Sequence, residues 1–260
     1  AVAVNEWAIN PVPCRMILKC LNEVLPSDKG FVVEISAPEG ERIAKKTYNP
    51  RLGIEGGISI IGTTGVVKPK SQESYKKSLM VELNVACAAG FSTIFIASGY
   101  LGERLLTQQF LIPEQQIIKA GDHIGFMIEQ CVNKGVGKAM IIGHIGKLAK
   151  VAAGLFNTHS QTGDARLETI AAYAAAKGAN QDLVKQILDL KLAEAAIDLL
   201  GKNGLMPVFD DIAYKVVERS QQFCEKRLEL TAIILSLKGE VIGKYPQDIL
   251  EARTWEKFIS

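Results

Sequence analysis

Three short runs carry side chains or bare backbone suited to ligand binding and proton chemistry. The first is Gly62-Thr63-Thr64-Gly65, which follows the apolar run Ile58-Ser59-Ile60-Ile61. A glycine turn at the end of a buried strand exposes backbone N–H groups, because no Cβ blocks a ligand's approach. The spacing is neither G-x-G-x-x-G nor a P-loop, so a tight αβ connection with no ligand fits it equally well. The second run is Gly143-His144-Ile145-Gly146-Lys147, directly after the apolar stretch Ala139–Ile142. The third is Asn157-Thr158-His159-Ser160, a cluster of small polar groups. His144 and His159 could each accept a proton near neutral pH or donate a hydrogen bond to a carboxylate. The remaining histidine, His123, opens a helical stretch and reads as structural or exposed.

Basic residues gather near these runs: Arg51, Lys68, Lys70, Lys147, Lys150 and Arg166. Most lysines are solvated surface charges. If these converge, they suit a ligand bearing several carboxylates, which arginine holds in bidentate fashion. Asp164 and Glu168 could cap a helix or bind a ribose, and capping is the simpler role for Asp164.

The totals narrow the classes. At 260 residues the chain can form two packed domains or one large one. A net charge of +2 gives no reason to expect a nucleic-acid partner. Five scattered cysteines form no C-x-x-C and read as reduced thiols of an intracellular, cytoplasmic protein. No apolar run approaches the roughly 18 residues of a membrane span. No Walker A, H-E-x-x-H, G-x-S-x-G or metal-ligand cluster is present. The opening residues, AVAVNEWAINP, read as the middle of a domain rather than its start.

These runs need elements to position them. From Gly56 onward strand and helix signals alternate, as in a parallel α/β sheet. Ile58–Ile61, Thr93–Ala97 and Ala139–Ile142 read as buried strands, each ending in a glycine turn that includes Gly62, Gly99 or Gly143. In an open parallel sheet ligands bind outside the carboxyl ends of the strands, so the three turns should line one rim. Helices are expected over 72–89, near Glu103, and over 124–134, 148–153, 164–177, 182–190, 192–200 and 206–226, with a small strand at 116–119. Leu228–Leu237 and Glu240–Gly243 read as a β-hairpin that pairs with an N-terminal strand and ties the chain ends together. Before Gly56, a turn is flanked by Pro11 and Pro13, a helix covers Arg15–Val24, and strands are expected at Phe31–Ser36 and Ile43–Thr47. The fold class is therefore α/β plus α+β. A Rossmann-like three-layer domain spans 51–227, with a helical C-terminal part. A smaller α+β domain combines 1–50 with 228–260.

Three stretches carry a specific likeness: Thr47–Ser71 (TYNPRLGIEGGISIIGTTGVVKPKS), Gly99–Glu103 (GYLGE) and Gly143–Thr169 (GHIGKLAKVAAGLFNTHSQTGDARLET). With Ala8–Pro13 (AINPVP), they resemble the CbiD family, the C1-methyltransferases of the oxygen-independent cobalamin pathway. The likeness runs from about Ala8 to the C-terminal hairpin. It implies methyl transfer from S-adenosylmethionine to C1 of cobalt-precorrin-5B, giving cobalt-precorrin-6A, with cobalt arriving only inside the tetrapyrrole substrate. The family is not similar to the two-domain tetrapyrrole methylases. Its members carry a further Thr/Gly/Cys/Ala-rich N-terminal stretch, so the smaller domain is expected to be incomplete here. Cys14 stands where the family usually has arginine, and Lys70 where it usually has methionine. The resemblance places S-adenosylmethionine over Gly62, Thr63, Thr64, Gly65 and Gly99. It turns Arg51, Lys147, Thr158, Ser160 and Arg166 toward the tetrapyrrole, with His144 and His159 as candidate catalytic groups. No protein metal site, nucleic acid or membrane enters this reading; a homo-oligomer does. From the residues alone, a nucleotide-cofactor oxidoreductase on a doubly wound fold and a non-catalytic tetrapyrrole carrier remain as alternatives.

Overall fold

Thr93–Ala97 is β-branched or apolar at nearly every position, and every residue of it is buried as strand β1. Lys138–His144 forms β3 beside it, in parallel, with Phe95 opposite Met140 and Ala97 opposite Ile142. Runs this apolar suit strands covered on both faces. The computed structural model, which describes residues 5–26, 28–47, 49–50, 53–62 and 72–259, completes the sheet with three more strands. These are β2 (Ile117–Lys119), β4 (Glu229–Leu235) and β5 (Val241–Tyr245). The order is β2-β1-β3-β4-β5, parallel except for the final antiparallel pair. The fold is mixed α/β.

Period-two alternation divides the sheet's side chains between two faces. Phe95, Ala97, Met140, Ile142, Ile233 and Leu235 form one buried cluster with Leu105 and Leu106 of α4 (Tyr100–Gln108) and Phe258 of α11 (Ala252–Ile259). Trp255 of α11 lies with its ring centroid 5.9 Å from Phe95 and 4.5 Å from Phe110. The last carbonyls of α11 are satisfied from the strands' entry ends: Thr93 Oγ1 donates to Phe258 O and Lys138 Nζ to Lys257 O. The other helices of this part are α5 (Ile124–Asn133), α6 (Ile145–Ala152), α7 (Arg166–Ala176), α8 (Gln181–Leu188), α9 (Ala195–Lys202) and α10 (Val208–Phe223). Helix α10 lies against β4 and β5 so closely that a Cβ on Gly243 would fall 2.3 Å from the Phe209 carbonyl oxygen.

The chain divides into two compact units, Ala1–Ser78 and Leu79–Ser260. The first holds α1 (Pro11–Val24), α2 (Gly40–Ala44) and one isolated parallel bridge between Ile9 and Ile60. Helix α3 (Gln72–Ala88) follows, burying Leu79, Leu83 and Ala86.

The sheet accords with the sequence reading, but several expectations fail in physical ways. Pro11 and Pro13 do not flank a turn; they sit in the first turn of α1, where a missing N–H is harmless. Phe31–Ser36 alternates like a strand yet forms no ladder with any described residue, and Val32 and Val33 are exposed. Ile43–Thr47 is not a strand: Gly40–Ala44 is helical, with Arg42 paired to Glu39 one turn away. Ile58–Ile61 is not a strand of the sheet either. Among the described residues its only ladder contact is the Ile9–Ile60 bridge, and Ile61 is exposed. The C-terminal hairpin forms as β4 and β5, but β4 pairs with β3 rather than with an N-terminal strand. Residues 228–260 consequently lie in the second unit, where the sequence reading grouped them with 1–50.

Candidate functional site

The strand order sets the site. From β1 the chain goes outward to β2, then returns to place β3 on the other side of β1, so the order reverses between β1 and β3. Crevices form at the carboxyl ends of strands beside such a reversal. A cavity of about 410 Å³ opens there, lined by residues from five connections. His144, Gly146, Lys147 and Lys150 come from the end of β3 and from α6. Asp122 precedes α5, and Thr158, His159 and Ser160 follow α6. Arg166 opens α7, Glu194 precedes α9, and Leu237 lies in the β4–β5 turn.

The β3–α6 junction is built by its small residues. A Cβ on Gly143 would fall 1.7 Å from Ser98 Oγ, so only glycine lets β1 and β3 end side by side. His144 then caps α6: its Nδ1 accepts the Gly146 N–H at 3.0 Å. That bond places the ring proton on Nε2, which donates to Glu194 Oε2 at 2.9 Å. The second carboxylate oxygen of Glu194 accepts the Leu237 N–H at 2.9 Å. One carboxylate thus ties α9, the end of β3 and the β4–β5 turn together.

Lys147 and Thr158 converge on Asp122. Lys147 Nζ donates to the Ser98 carbonyl at 2.8 Å and lies 3.1 Å from Asp122 Oδ1. Thr158 Oγ1 donates to the same carboxylate at 2.9 Å, and the Thr158 N–H donates to the Asp122 carbonyl at 3.0 Å. Burial pushes the Asp122 carboxyl up, but the charge and hydrogen bond of Lys147, the Thr158 hydroxyl and the charge of His159 outweigh it, and the net direction is down. At the mouth, Arg166 forks onto Asp164, with Nε 2.7 Å from Oδ1. Chiefly through that hydrogen bond, Asp164 is held down to about 2. Both folded-state values lie below the ordinary 3.8, so these carboxylates stabilise the fold above that pH. Their contribution is lost as pH falls through the folded values. We expect carboxyl NMR titration to place the Asp164 midpoint near 2 and the Asp122 midpoint below 3.8, with acid stability declining across that window. The exposure of Asp164 keeps its share small.

Seven sequence-selected side chains therefore meet in one cavity: His144, Lys147, Lys150, Thr158, His159, Ser160 and Arg166. Neither histidine is arranged as a base. In His144 both ring nitrogens are engaged. In His159, Nδ1 accepts the Gln161 N–H at 3.2 Å, which leaves Nε2–H to donate. The hydrogen-bond-donor alternative fits this geometry, and the proton-acceptor one does not. Asp164 does not cap α7 through its side chain in the usual way but grips Arg166, donor of the first helical N–H at 3.3 Å. His123 is buried just before α5. Gly99 stands at the end of β1, immediately before α4, with open space where a Cβ would be, and it is not among the cavity residues. Gly62, at φ 151°, lies in the first unit, in a conformation that favours glycine. Arg51, Thr63, Thr64, Gly65, Lys68, Lys70 and Ser71 lie outside the described residues. Of the expected three glycine turns, those after β1 and β3 belong to the sheet, but only the one after β3 lines the cavity; Asp122, after β2, and Leu237, after β4, supply the other strand-end residues. Asp122 and Glu194 went unselected in the sequence because each is an isolated acid far from the glycine turns. Among the described residues, no group of three or more His, Cys, Asp and Glu could hold a metal ion, and no helix is long and apolar enough to cross a membrane.

A mostly parallel sheet whose order reverses beside a charged crevice defines an α/β protein with a polar ligand site at its strand ends. Residues 1–69 match the CbiD family model, and residues 157–246 match the model of the CbiD C-terminal domain. The chain belongs to the CbiD family. It is 42% identical over 245 residues to the cobalt-precorrin-5B C(1)-methyltransferase of Moorella thermoacetica, covering 94% of this chain and 67% of that protein. The enzyme of the same name from Alkaliphilus metalliredigens is 40% identical over 246 residues, covering 95% and 65% respectively. That from Thermoanaerobacter sp. is 44% identical over 239 residues, covering 91% and 65%. The chain thus spans about two thirds of the length of these relatives. No solved structure shows significant similarity to it.

Proposed function

We propose that this chain methylates C1 of cobalt-precorrin-5B, giving cobalt-precorrin-6A in cobalamin biosynthesis, with S-adenosylmethionine as the methyl donor. The observation that carries the reading is membership of a family whose relatives bear that activity as their name. The site chemistry agrees with it. In-line displacement at a sulfonium methyl by an electron-rich ring carbon needs alignment more than a strong acid or base, and positioning supplies much of such a rate. A cavity of fixed donors, with both histidines engaged at Nδ1, is suited to holding a polycarboxylate rather than to moving protons.

In this reading His144, Lys147, Thr158, His159, Ser160 and Arg166 face the acetate and propionate rim of the tetrapyrrole, and Arg51 of the first unit is a further candidate contact. Gly62, Thr63, Thr64 and Gly65 of the first unit and Gly99 of the second are each candidate contacts of S-adenosylmethionine. Cobalt enters only within the substrate. The working protein is cytoplasmic.

The test is a calorimetric titration with S-adenosylhomocysteine, with NADH as comparator. Binding of the sulfur compound alone supports the methyltransferase. Binding of NADH alone overturns it in favour of a nucleotide oxidoreductase. If neither binds to this chain or to a full-length relative, the donor site is absent and a tetrapyrrole carrier is the better description.

A further inference from the structure

The charges that line the cavity do not cancel, and the imbalance has an address. Three side chains of fixed positive charge line it: Lys147, Lys150 and Arg166. Lys147 is paired with Asp122, and Arg166 with Asp164. Glu194, the other acid in the lining, is taken by His144 and by the Leu237 N–H. Among the described residues, Lys150 makes no ion pair. Its ammonium donates to one neutral acceptor, the Thr158 carbonyl, at 3.2 Å. Asp164 is near enough to feel its charge, yet that carboxylate is already forked by Arg166.

Lys150 is also the most deeply buried of the three, only 4% exposed, on α6 where it still reaches the cavity wall. An ammonium taken out of water needs a counter-charge or several acceptors. Here two of its three N–H donors have no acceptor among the described residues. Around the same space stand further donors and hydroxyls: His159 Nε2–H, Ser160, and the Arg166 nitrogens not held by Asp164. A planar anion entering the cavity would complete the Lys150 shell and neutralise the one charge left over.

We propose that Lys150 is the anchor of a carboxylate subsite, and that a carboxylate of a bound substrate supplies the missing counter-charge. The subsite distinguishes a free acid from its ester or amide, because only the acid brings charge. The identity of the ligand rests on the methyltransferase reading, under which two sources exist: the acid side chains of the tetrapyrrole and the α-carboxylate of the methyl donor. The unmatched charge does not rest on that reading.

The experiment compares the wild-type chain with Lys150→Met, which keeps length and apolar bulk, and with Lys150→Arg, which keeps the charge. Three probes are titrated: uroporphyrin III, with free carboxylates around its rim; its fully methyl-esterified form; and S-adenosylhomocysteine. Wild type should bind the free acid over the ester. Lys150→Met should lose on the order of tenfold or more in affinity for one carboxylate probe, and Lys150→Arg should retain most of it. Thermal unfolding of Lys150→Met should be at or above that of wild type, since an uncompensated buried charge has been removed. A loss confined to uroporphyrin assigns the carboxylate to the tetrapyrrole, and a loss confined to S-adenosylhomocysteine assigns it to the donor. Equal binding of all probes by wild type and Lys150→Met overturns the proposal. So does failure of wild type to bind either carboxylate probe. If wild type binds uroporphyrin in a Lys150-dependent way but not S-adenosylhomocysteine, the subsite stands and the methyltransferase reading does not.

Discussion

Gly143→Ala will destabilise the second unit by about 3 kcal/mol, the upper part of the range for overpacking a tight interior. The cause is a specific collision. The new Cβ would lie 1.7 Å from Ser98 Oγ and 2.8 Å from Ser98 Cβ. Rotating the serine removes the first contact but not the second, because Cβ is fixed by the backbone. That backbone cannot move freely either: the Ser98 N–H donates to the Ile142 carbonyl at 2.8 Å, and its own carbonyl accepts from Lys147. Strain at this position therefore passes to the Lys147 ammonium. Adding Ser98→Gly removes both clashing atoms, and chemical denaturation of the four proteins in this cycle should reveal a favourable coupling of about 1–2 kcal/mol. Additive losses would mean that the collision is relieved elsewhere and that Gly143 does not set the spacing of β1 and β3.

The same junction shows what was legible in the residues. Thr93–Ala97 and Ala139–Ile142 were readable because burial on both faces leaves an unbroken apolar run. The glycine and histidine after the second run were readable because small residues at a strand's carboxyl end mark a close approach. Ile58–Ile61 has the same local appearance but, among the described residues, forms only an isolated bridge with Ile9, and Phe31–Ser36 alternates yet pairs with none of them. A strand exists only when a partner completes its ladder, and composition does not reveal the partner. The hairpin was readable from its turn, but its place in the sheet was not, since parallel pairing of β4 with β3 joins residues about 90 positions apart. Helix α11 was missed for a related reason: its apolar face is short, and it is defined by Phe95 and Phe110, on which Trp255 and Phe258 pack. Within the site, the groups adjoining glycine turns could be selected in advance. The two acids that hold them in place, Asp122 and Glu194, reach the cavity only through the packing of α5 and α9.

Asp122→Ala should bring the second large effect. Asp122 Oδ1 accepts from the Thr158 hydroxyl at 2.9 Å and lies 3.1 Å from the Lys147 ammonium. Thr158 is buried, so its hydroxyl loses an acceptor that water does not readily replace. The expected cost is about 1–3 kcal/mol in stability. The functional effect should be larger, because three cavity groups shift together. Lys147 would be free to swing from its position on Ser98. Of its two bonds to Asp122, the segment of Thr158, His159 and Ser160 would keep only the backbone one, from Thr158 N–H to the Asp122 carbonyl. Lys150, whose one acceptor among the described residues is the Thr158 carbonyl, would follow that segment. Displacements of about 1 Å can cost on the order of a hundredfold in a reaction that depends on alignment, and a loss of that size is expected in methyl transfer under the proposed function. Asp122→Asn separates the two contributions. The amide oxygen can still accept from Thr158, but the charge that holds Lys147 is gone. If geometry dominates, Asn should retain most of the stability and much of the activity that Ala loses. If the Lys147 pair dominates, Asn and Ala should fall together. Thermal unfolding and single-turnover methyl transfer, measured on both variants, distinguish these outcomes. Wild-type behaviour in Asp122→Ala would mean that Asp122 does not organise the cavity.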